Sequence, residues 1–279
     1  MRERAYAKIN LCLNVKGKRD DGYHELEMIM LPVSYYDEIE LRLSKDMKYS
    51  SNRSYLRFDD KNTIVKAVEY MKEKYAIKDN FSIHINKFIP TRAGLAGGSS
   101  DGACIIRILD EMYKLNMSYE EKKEASLAIG ADVFFCFMNR PALVKGIGEE
   151  LDFFEMDNFF HILLVKPKEG VSTKEAFKKL DIVNCDHPDA RALKRALIDK
   201  DYPEVLANMQ NSLESSSFEI CPSILKLKKK LEVYGFDRVL MSGSGSTLIA
   251  ISKDVKLVNR AMKQMRNSHY FATKVKILS

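Results

Sequence analysis

The sequence predicts an α+β chain built as two domains. Three observations carry that reading. A chain of 279 residues is longer than one compact core needs. Its first half opens on strand-period patterns joined by a turn signal. The pattern then changes around Phe153 to Phe160, beyond which helical patterns dominate. That change sets an expected boundary between residues 1–155 and 156–279. No internal repeat or low-complexity tract interrupts either half.

Each element has its own signal. Ala5, Ala7, Ile9, Leu11, Leu13 and Val15 alternate with Tyr6, Lys8, Asn10, Cys12 and Asn14, which predicts a half-buried strand. Asp21-Gly22 marks a turn, Leu26 to Val33 reads as the returning strand of a long hairpin, and Ile39 to Leu43 continues the sheet. Asn62 begins a helical pattern through Ile64, Val65, Val68 and Met71, and Phe81, Ile83 and Ile85 alternate as another strand. A small-residue loop is expected from Ala93 to Gly102, feeding a helix through Ala103, Ile105, Ile106, Leu109 and Met112. Ser118 with Glu121 forms a capping-box pattern for a helix ending at Gly130, and an apolar stretch Val133 to Met138 follows. The second half offers a strand at Ile162 to Val165, a helix at Ile224 to Tyr234, and strands at Val239 to Met241 and Leu248 to Ile251 flanking the turn Ser242 to Ser246. A further helix and a last strand near Val275 complete it.

Composition excludes several classes. The five cysteines are scattered with no Cys-x-x-Cys pair, so reduced structural thiols are expected. The five histidines show no i, i+4 pair for gripping zinc. Lys8 and Asn10 break the apolar character of the amino terminus, which therefore lacks a signal peptide's uninterrupted core, and a cytoplasmic location is expected. Nowhere do about 18 apolar residues run together, so no membrane-spanning helix is expected. A formal charge of +6 suits anionic partners, and phosphorylated small molecules account for it as well as nucleic acid would.

The strongest chemical signal is Pro90-Thr91-Arg92-Ala93-Gly94-Leu95-Ala96-Gly97-Gly98-Ser99-Ser100-Asp101-Gly102, set between a strand and a helix. Unpaired amides and partial positive charge at a helix N-terminus stabilise an anion, and glycines let the backbone curl to aim them. An ordinary surface loop is the competing reading. The Gly-Lys-Ser/Thr ending of a Walker A loop is absent, and Gly-x-Gly-x-x-Gly fails here, at Gly146-Ile147-Gly148 and at Gly243-Ser244-Gly245. A cation must then come from elsewhere. Lys8, about 7 Å from Asn10 on the same strand face, is the candidate, against the commoner exposed surface lysine. Asp132, at the mouth of an apolar stretch, is either a cap or a general base. Tyr23 and His24 follow the hairpin turn and suit an aromatic ligand group or a solvated turn, while Ser242 to Ser246 suits close approach to a ligand or a plain hairpin.

Taken in order, Ala7-Lys8-Ile9-Asn10-Leu11, Asp21-Gly22-Tyr23-His24-Glu25-Leu26, Gly94 to Asp101, Gly130-Ala131-Asp132-Val133 and Met241 to Ser246 resemble the GHMP kinase superfamily, and within it the 4-diphosphocytidyl-2-C-methyl-D-erythritol kinase family. The resemblance spans nearly the whole chain. It implies an ATP-binding first domain like that of ribosomal protein S5, a ferredoxin-like second domain, and an active site in the cleft between them. ATP would lie along Pro90, Gly94, Leu95, Ala96, Gly97, Gly98, Ser99 and Ser100, with Asn62 near the adenine. Asp132 would be the base and Lys8 its charged partner. Tyr23 and Phe177 would sandwich a cytosine ring with His24 on its edge, Asn10 would meet the polyol end, and Gly243 and Ser244 would contact the substrate. Mg²⁺ would bridge the phosphates, with Ser100 a candidate ligand.

The expected reaction moves the terminal phosphate of ATP to the 2-hydroxyl of the cytidyl-methylerythritol in the non-mevalonate isoprenoid route. The expected partner is a small molecule bearing a cytidine diphosphate group, with no nucleic acid and no membrane, bound by a monomer or weak homodimer. Ala96, Gly102, Thr91-Arg92 and Asn211-Ser212-Leu213-Glu214 depart from the family's usual residues and leave open a diverged kinase acting on another alcohol. A basic RNA-binding protein is a separate reading. The lysines of Lys226 to Lys230 fit the solvated face of a helix instead, and no aromatic RNP motif is present.

Overall fold

The alternation at the amino terminus becomes β1 (Arg2–Lys18) in the computed structural model, which describes residues 1–278. From Ala7 to Val15 every residue of this strand is buried, Lys8, Asn10 and Asn14 included. The expected half-buried strand is thus corrected to one covered on both faces. Its polar side is packed by protein: the Asn10 N–H donates to Ser242 Oγ at 3.3 Å, and Asn14 Nδ2 donates to the Pro188 carbonyl at 3.0 Å.

A turn at Asp21-Gly22, closed by the Arg19 N–H on the Tyr23 carbonyl at 2.8 Å, leads into β2 (His24–Ser44). The chain continues through β3 (Lys48–Ser51), α1 (Thr63–Lys74), β4 (Asn80–Asn86), α2 (Gly97–Tyr113), α3 (Tyr119–Ile129) and α4 (Val133–Met138). The hairpin β5 (Ala142–Gly146) and β6 (Glu150–Phe153) comes next, then β7 (His161–Lys166) and the helices α5 (Thr173–Lys179), α6 (Ala190–Ile198), α7 (Tyr202–Asn208), α8 (Glu214–Ile220) and α9 (Pro222–Val233). Strands β8 (Arg238–Met241) and β9 (Leu248–Ser252), α10 (Val255–Asn267) and β10 (Phe271–Val275) complete the order.

The chain divides into two units, each assembled from separated stretches. The first comprises Met1–Ala7, Tyr35–Pro90 and Ala96–Asn139; the second comprises Lys8–Ser34, Thr91–Leu95 and Arg140 onward. In the first unit, Glu38 to Ser44 of β2 pairs antiparallel with β4, and β4 pairs parallel with β3. The strict alternation of β4 buries Phe81, Ile83 and Ile85 on one face. Helix α1 packs on α2 and α3, and α2 packs on α4. Ser118 and Glu121 form the expected capping box of α3.

One local expectation in this unit changes, and one stretch left without an element gains one. Residues Gly97 to Gly102 are helical rather than loop, because small residues allow close packing: a Cβ at Gly97 would lie 2.8 Å from Ile89. The apolar stretch after Asp132 is the short helix α4, whose Val133, Phe134, Phe135 and Cys136 are buried.

In the second unit, Leu26 to Met30 of β2 pairs with β5, and β5 with β6, a hairpin that the glycine-bearing stretch Gly146 to Gly148 had not disclosed. Four antiparallel strands in the order β10-β7-β9-β8 form its other sheet. Helices α9 and α10 pack on this sheet, their Ile224, Leu227, Leu231, Val258, Ala261 and Met265 buried.

Candidate active site

Three sequence blocks meet inside the second unit. Lys8 is 5% exposed, and its Nζ donates to Asn10 Oδ1 at 2.7 Å. The surface-lysine alternative is therefore excluded for Lys8. The Lys8 N–H donates to the Leu95 carbonyl at 3.2 Å, tying β1 to the glycine-rich stretch. Ser242 Oγ accepts from the Asn10 N–H and donates to the Gly94 carbonyl at 3.0 Å, which brings in the turn after β8. Gly94 has φ +72°, and a Cβ there would overlap the Ser242 carbonyl, so this approach admits only glycine. The same turn brings Gly243 to within 3.3 Å of Asn10 Oδ1, measured from an ideal Cβ position.

The turn Ser242 to Ser246 joins β8 to β9, so it is a hairpin as well as a contact surface. Asn211 Nδ2 donates to the carbonyls of Met241 and Gly243, each at 2.8 Å. Ser217 Oγ donates to the Ser244 carbonyl at 3.1 Å, and the Ser244 and Thr173 hydroxyls lie 2.8 Å apart. Glu214 accepts the Met241 N–H at 2.8 Å and the Lys228 ammonium at 2.6 Å. Burial pushes the Glu214 carboxyl above its usual range, against the pull of Lys228. Asn211, Glu214 and Thr173 were not singled out from sequence. The signal for Asn211 and Glu214 was the stretch Asn211-Ser212-Leu213-Glu214, visible there only as a variation.

His24 stacks on Phe177, with centroids 4.8 Å apart and planes at 28°. Burial, helped by Lys18, holds the His24 imidazole below its usual pKa, which keeps it neutral near pH 7. Tyr23 stands beside this pair in sequence and is 58% exposed, its N–H on Asp21 Oδ1 at 3.0 Å.

In the first unit, Ala96 ends the glycine-rich stretch in the left-handed region at φ 53°, as N-cap of α2 without a side-chain capping bond. The Gly97, Gly98 and Ser99 amides thus open the helix with no side chain capping them. Thr63 Oγ1 donates to the Gly98 carbonyl at 2.5 Å, and Ser100 Oγ donates to the Tyr6 carbonyl at 2.6 Å. Pro90 follows Ile89, whose N–H is held by Asp37 at 2.8 Å. Asn62 caps α1 through the Ile64 N–H at 2.9 Å and donates to the Arg57 carbonyl at 2.7 Å. Asp132 occupies the N-cap position of α4 and makes no side-chain capping bond, so its carboxylate does not serve that helix as a cap.

Residues 62–140 match the GHMP kinases N terminal domain, and residues 191–270 match the GHMP kinases C terminal domain. The two-domain fold and these matches define a small-molecule kinase of the GHMP class. A 4-diphosphocytidyl-2-C-methyl-D-erythritol kinase of Bacillus pumilus (strain SAFR-032) is 39% identical over 266 residues, 95% of this chain and 92% of that protein. One of Clostridium acetobutylicum is 37% identical over 271 residues, covering 96% and 97%. This chain belongs to the 4-diphosphocytidyl-2-C-methyl-D-erythritol kinase family. A crystal structure of 4-(cytidine 5'-diphospho)-2C-methyl-D-erythritol kinase superposes with TM-score 0.84 at 27% identity, covering all of both chains. The L. major mevalonate kinase structure, at TM-score 0.71 and 16% identity over 99% and 95% of the two chains, shares the fold.

Proposed function

We propose that this kinase transfers the terminal phosphate of ATP to the 2-hydroxyl of 4-diphosphocytidyl-2-C-methyl-D-erythritol, in the non-mevalonate route to isoprenoid precursors. The observation that carries the reading is the meeting of Lys8–Asn10, Gly94–Leu95 and Ser242–Gly243 in one buried hydrogen-bonded cluster. That cluster joins the start of the phosphate-binding stretch to a buried ammonium, the two parts that phosphoryl transfer asks a protein to position.

The terminal and bridging phosphates lie along Gly94 to Ser100, against the Gly97, Gly98 and Ser99 amides that open α2, with Pro90 and Asn62 on the adenosine side. Asp132 takes the proton from the attacking hydroxyl, and Lys8 stabilises charge on the transferred phosphate. The neutral His24 ring accepts or donates at the edge of the cytosine, with Phe177 and Tyr23 supplying aromatic faces. Asn10, Gly243 and Ser244 meet the polyol and diphosphate end. Mg²⁺ fits this arrangement as a cation carried by the polyphosphate, which needs only one or two protein oxygens. Ser100 Oγ gives its proton to the Tyr6 carbonyl and so keeps lone pairs for such a contact. When bound, the ion neutralises phosphate charge.

No helix among the described residues is long and apolar enough to cross a membrane. On this reading the enzyme works in the cytoplasm as a monomer or weak homodimer, with neither nucleic acid nor membrane as partner. The test measures ATP consumption with the cytidyl substrate in the wild type, Asp132→Asn and Lys8→Ala. Activity in the wild type and its loss in both variants is expected. Turnover of another alcohol in its place reassigns the substrate, and full activity in Asp132→Asn removes the assigned base.

A further inference from the structure

Within the first unit, behind the opening turn of α2, lie three buried charged side chains that the reading above does not use. Lys87, 3% exposed, donates from Nζ to Asp37 Oδ2 and to Asp101 Oδ2, each at 2.5 Å. Asp37 is fully buried, and its other oxygen accepts the N–H groups of Phe88 at 2.5 Å and Ile89 at 2.8 Å. Asp101, in the second turn of α2, has its Oδ1 buried without a hydrogen-bond partner. An ideal Cβ on Gly97 would lie 3.0 Å from Lys87 Nζ, so the ammonium sits directly behind the backbone that opens the helix.

A buried ion cluster is a weak source of stability, because desolvation offsets most of its attraction and an apolar cluster would serve the fold as well. An orphaned carboxylate oxygen makes the arrangement costlier still. With both carboxylates ionised, the cluster would carry net negative charge behind a turn built to receive phosphates. Burial answers this by holding the Asp101 carboxyl well above its usual range, reinforced by Asp37 and opposed by Lys87. Lys87 loses hydration on burial, yet the attraction of Asp101 and Asp37 keeps it an ammonium. The ammonium end of the cluster lies against Gly97.

We propose that Lys87 is a positioning residue for the nucleotide's phosphates: anchored by Asp37 and Asp101, its ammonium fixes the first turn of α2 against the exit of β4 and adds positive charge behind the Gly97, Gly98 and Ser99 amides. The inference rests on the nucleotide reading of that turn. It also gives Asp101, quoted in the family-like stretch without a role, a specific task.

The test compares full-length wild type, Asp101→Asn and the double variant Lys87→Met/Asp101→Asn by calorimetric titration with MgADP and by steady-state kinetics. The double variant leaves Asp37 on its two amides and avoids two carboxylates facing each other without the ammonium. It is expected to bind ADP about tenfold more weakly than Asp101→Asn and to raise KM for ATP by a similar factor. Its KM for the cytidyl substrate is expected to stay within about threefold of that of Asp101→Asn. Equal ADP affinity in the two folded variants overturns the proposal, as does a parallel rise in both KM values. Unfolding of the double variant while Asp101→Asn folds assigns Lys87 to structure alone and also overturns it. A wild type that does not bind ADP removes the nucleotide reading itself, and the inference falls with it.

Discussion

The Lys8 ammonium donates to the Asn10 side-chain carbonyl across 2.7 Å, from a strand position that is 5% exposed. Two residues apart on one strand face, the side chains set each other's direction, so the charge is aimed before substrate arrives. Asn10→Ala removes that guide. Losing a hydrogen bond to a charged group lowers kcat by roughly 10- to 100-fold, while the affinity for ADP changes by less than about threefold. Steady-state kinetics beside an ADP titration checks the split.

Asp132→Asn is expected to reduce kcat by roughly 10²- to 10⁴-fold, the range for removing a general base. Because the Asp132 side chain makes no capping bond to α4, the variant gives up no helix cap. Its thermal midpoint is expected to fall by no more than a few degrees, about the shift that goes with 1 kcal/mol or less. A large drop in midpoint with proportionate loss of activity would make Asp132 a structural residue.

If the His24–Phe177 stack meets the cytosine as proposed, recognition depends on pH. His24 is held below its usual pKa by burial and then by Lys18, so the unfolded chain takes up a proton before the folded one does. Its contribution to stability is complete above the unfolded value of about 6.5 and is lost as pH falls through the lower folded value. KM for the cytidyl substrate is expected to be flat from alkaline pH down to about 6.5 and to rise only below it. Phe177→Ala raises that KM by about 3- to 10-fold without a matching change in KM for ATP.

Gly94→Ala sets a methyl group against the Ser242 carbonyl at a positive φ, and is expected to cost about 2–4 kcal/mol. Gly17, in β1 with nothing within 4 Å of its Cβ position, is the matched control. Gly17→Ala is expected to stay within about 0.5 kcal/mol of wild type. Urea denaturation of both variants decides the comparison, and equal stability would show that the approach of Gly94 to Ser242 is not needed.

Glu214 ties α8 to the strand before the Ser242 turn through the Met241 N–H, and to α9 through the Lys228 ammonium. Glu214→Ala leaves that ammonium without its buried partner and is expected to destabilise by about 3–5 kcal/mol. Because burial raises the folded pKa above the unfolded one, the stability linked to this proton is complete below about 4.5 and is lost as pH rises through the folded value. Glu214→Gln abolishes that pH dependence, which denaturation midpoints taken across mildly acidic pH would register.

Strands and helices with one-sided patterns were legible in the sequence, since a single periodicity reports a single buried face. The alternation of β4 and the cap of α3 are instances. Lys8 shows why other parts were not. A polar residue at every second position reads as a solvated face, and contacts contributed by Leu95, Pro188 and Ser242, remote in sequence, turn that face inward. Gly97 to Gly102 read as loop because glycine lowers helix propensity, whereas close approach to Ile89 and Thr63 makes small residues necessary there. The contacts of Glu214 and Lys87 were hidden for a further reason: a charged residue signals exposure until its partner is known, and their partners lie 14 residues away or more.

The second unit gathers residues 8–34 and 91–95 with everything from Arg140 onward, so the start of the glycine-rich stretch takes its anchorage from the carboxyl-terminal half. Cutting the gene near its midpoint would sever that stretch from Ser242, and grafting either half onto a relative would demand matching surfaces at both ends. A chimaera that exchanges segments with a relative is therefore expected to keep the Gly94–Ser242 contact only when both of its sides come from one parent.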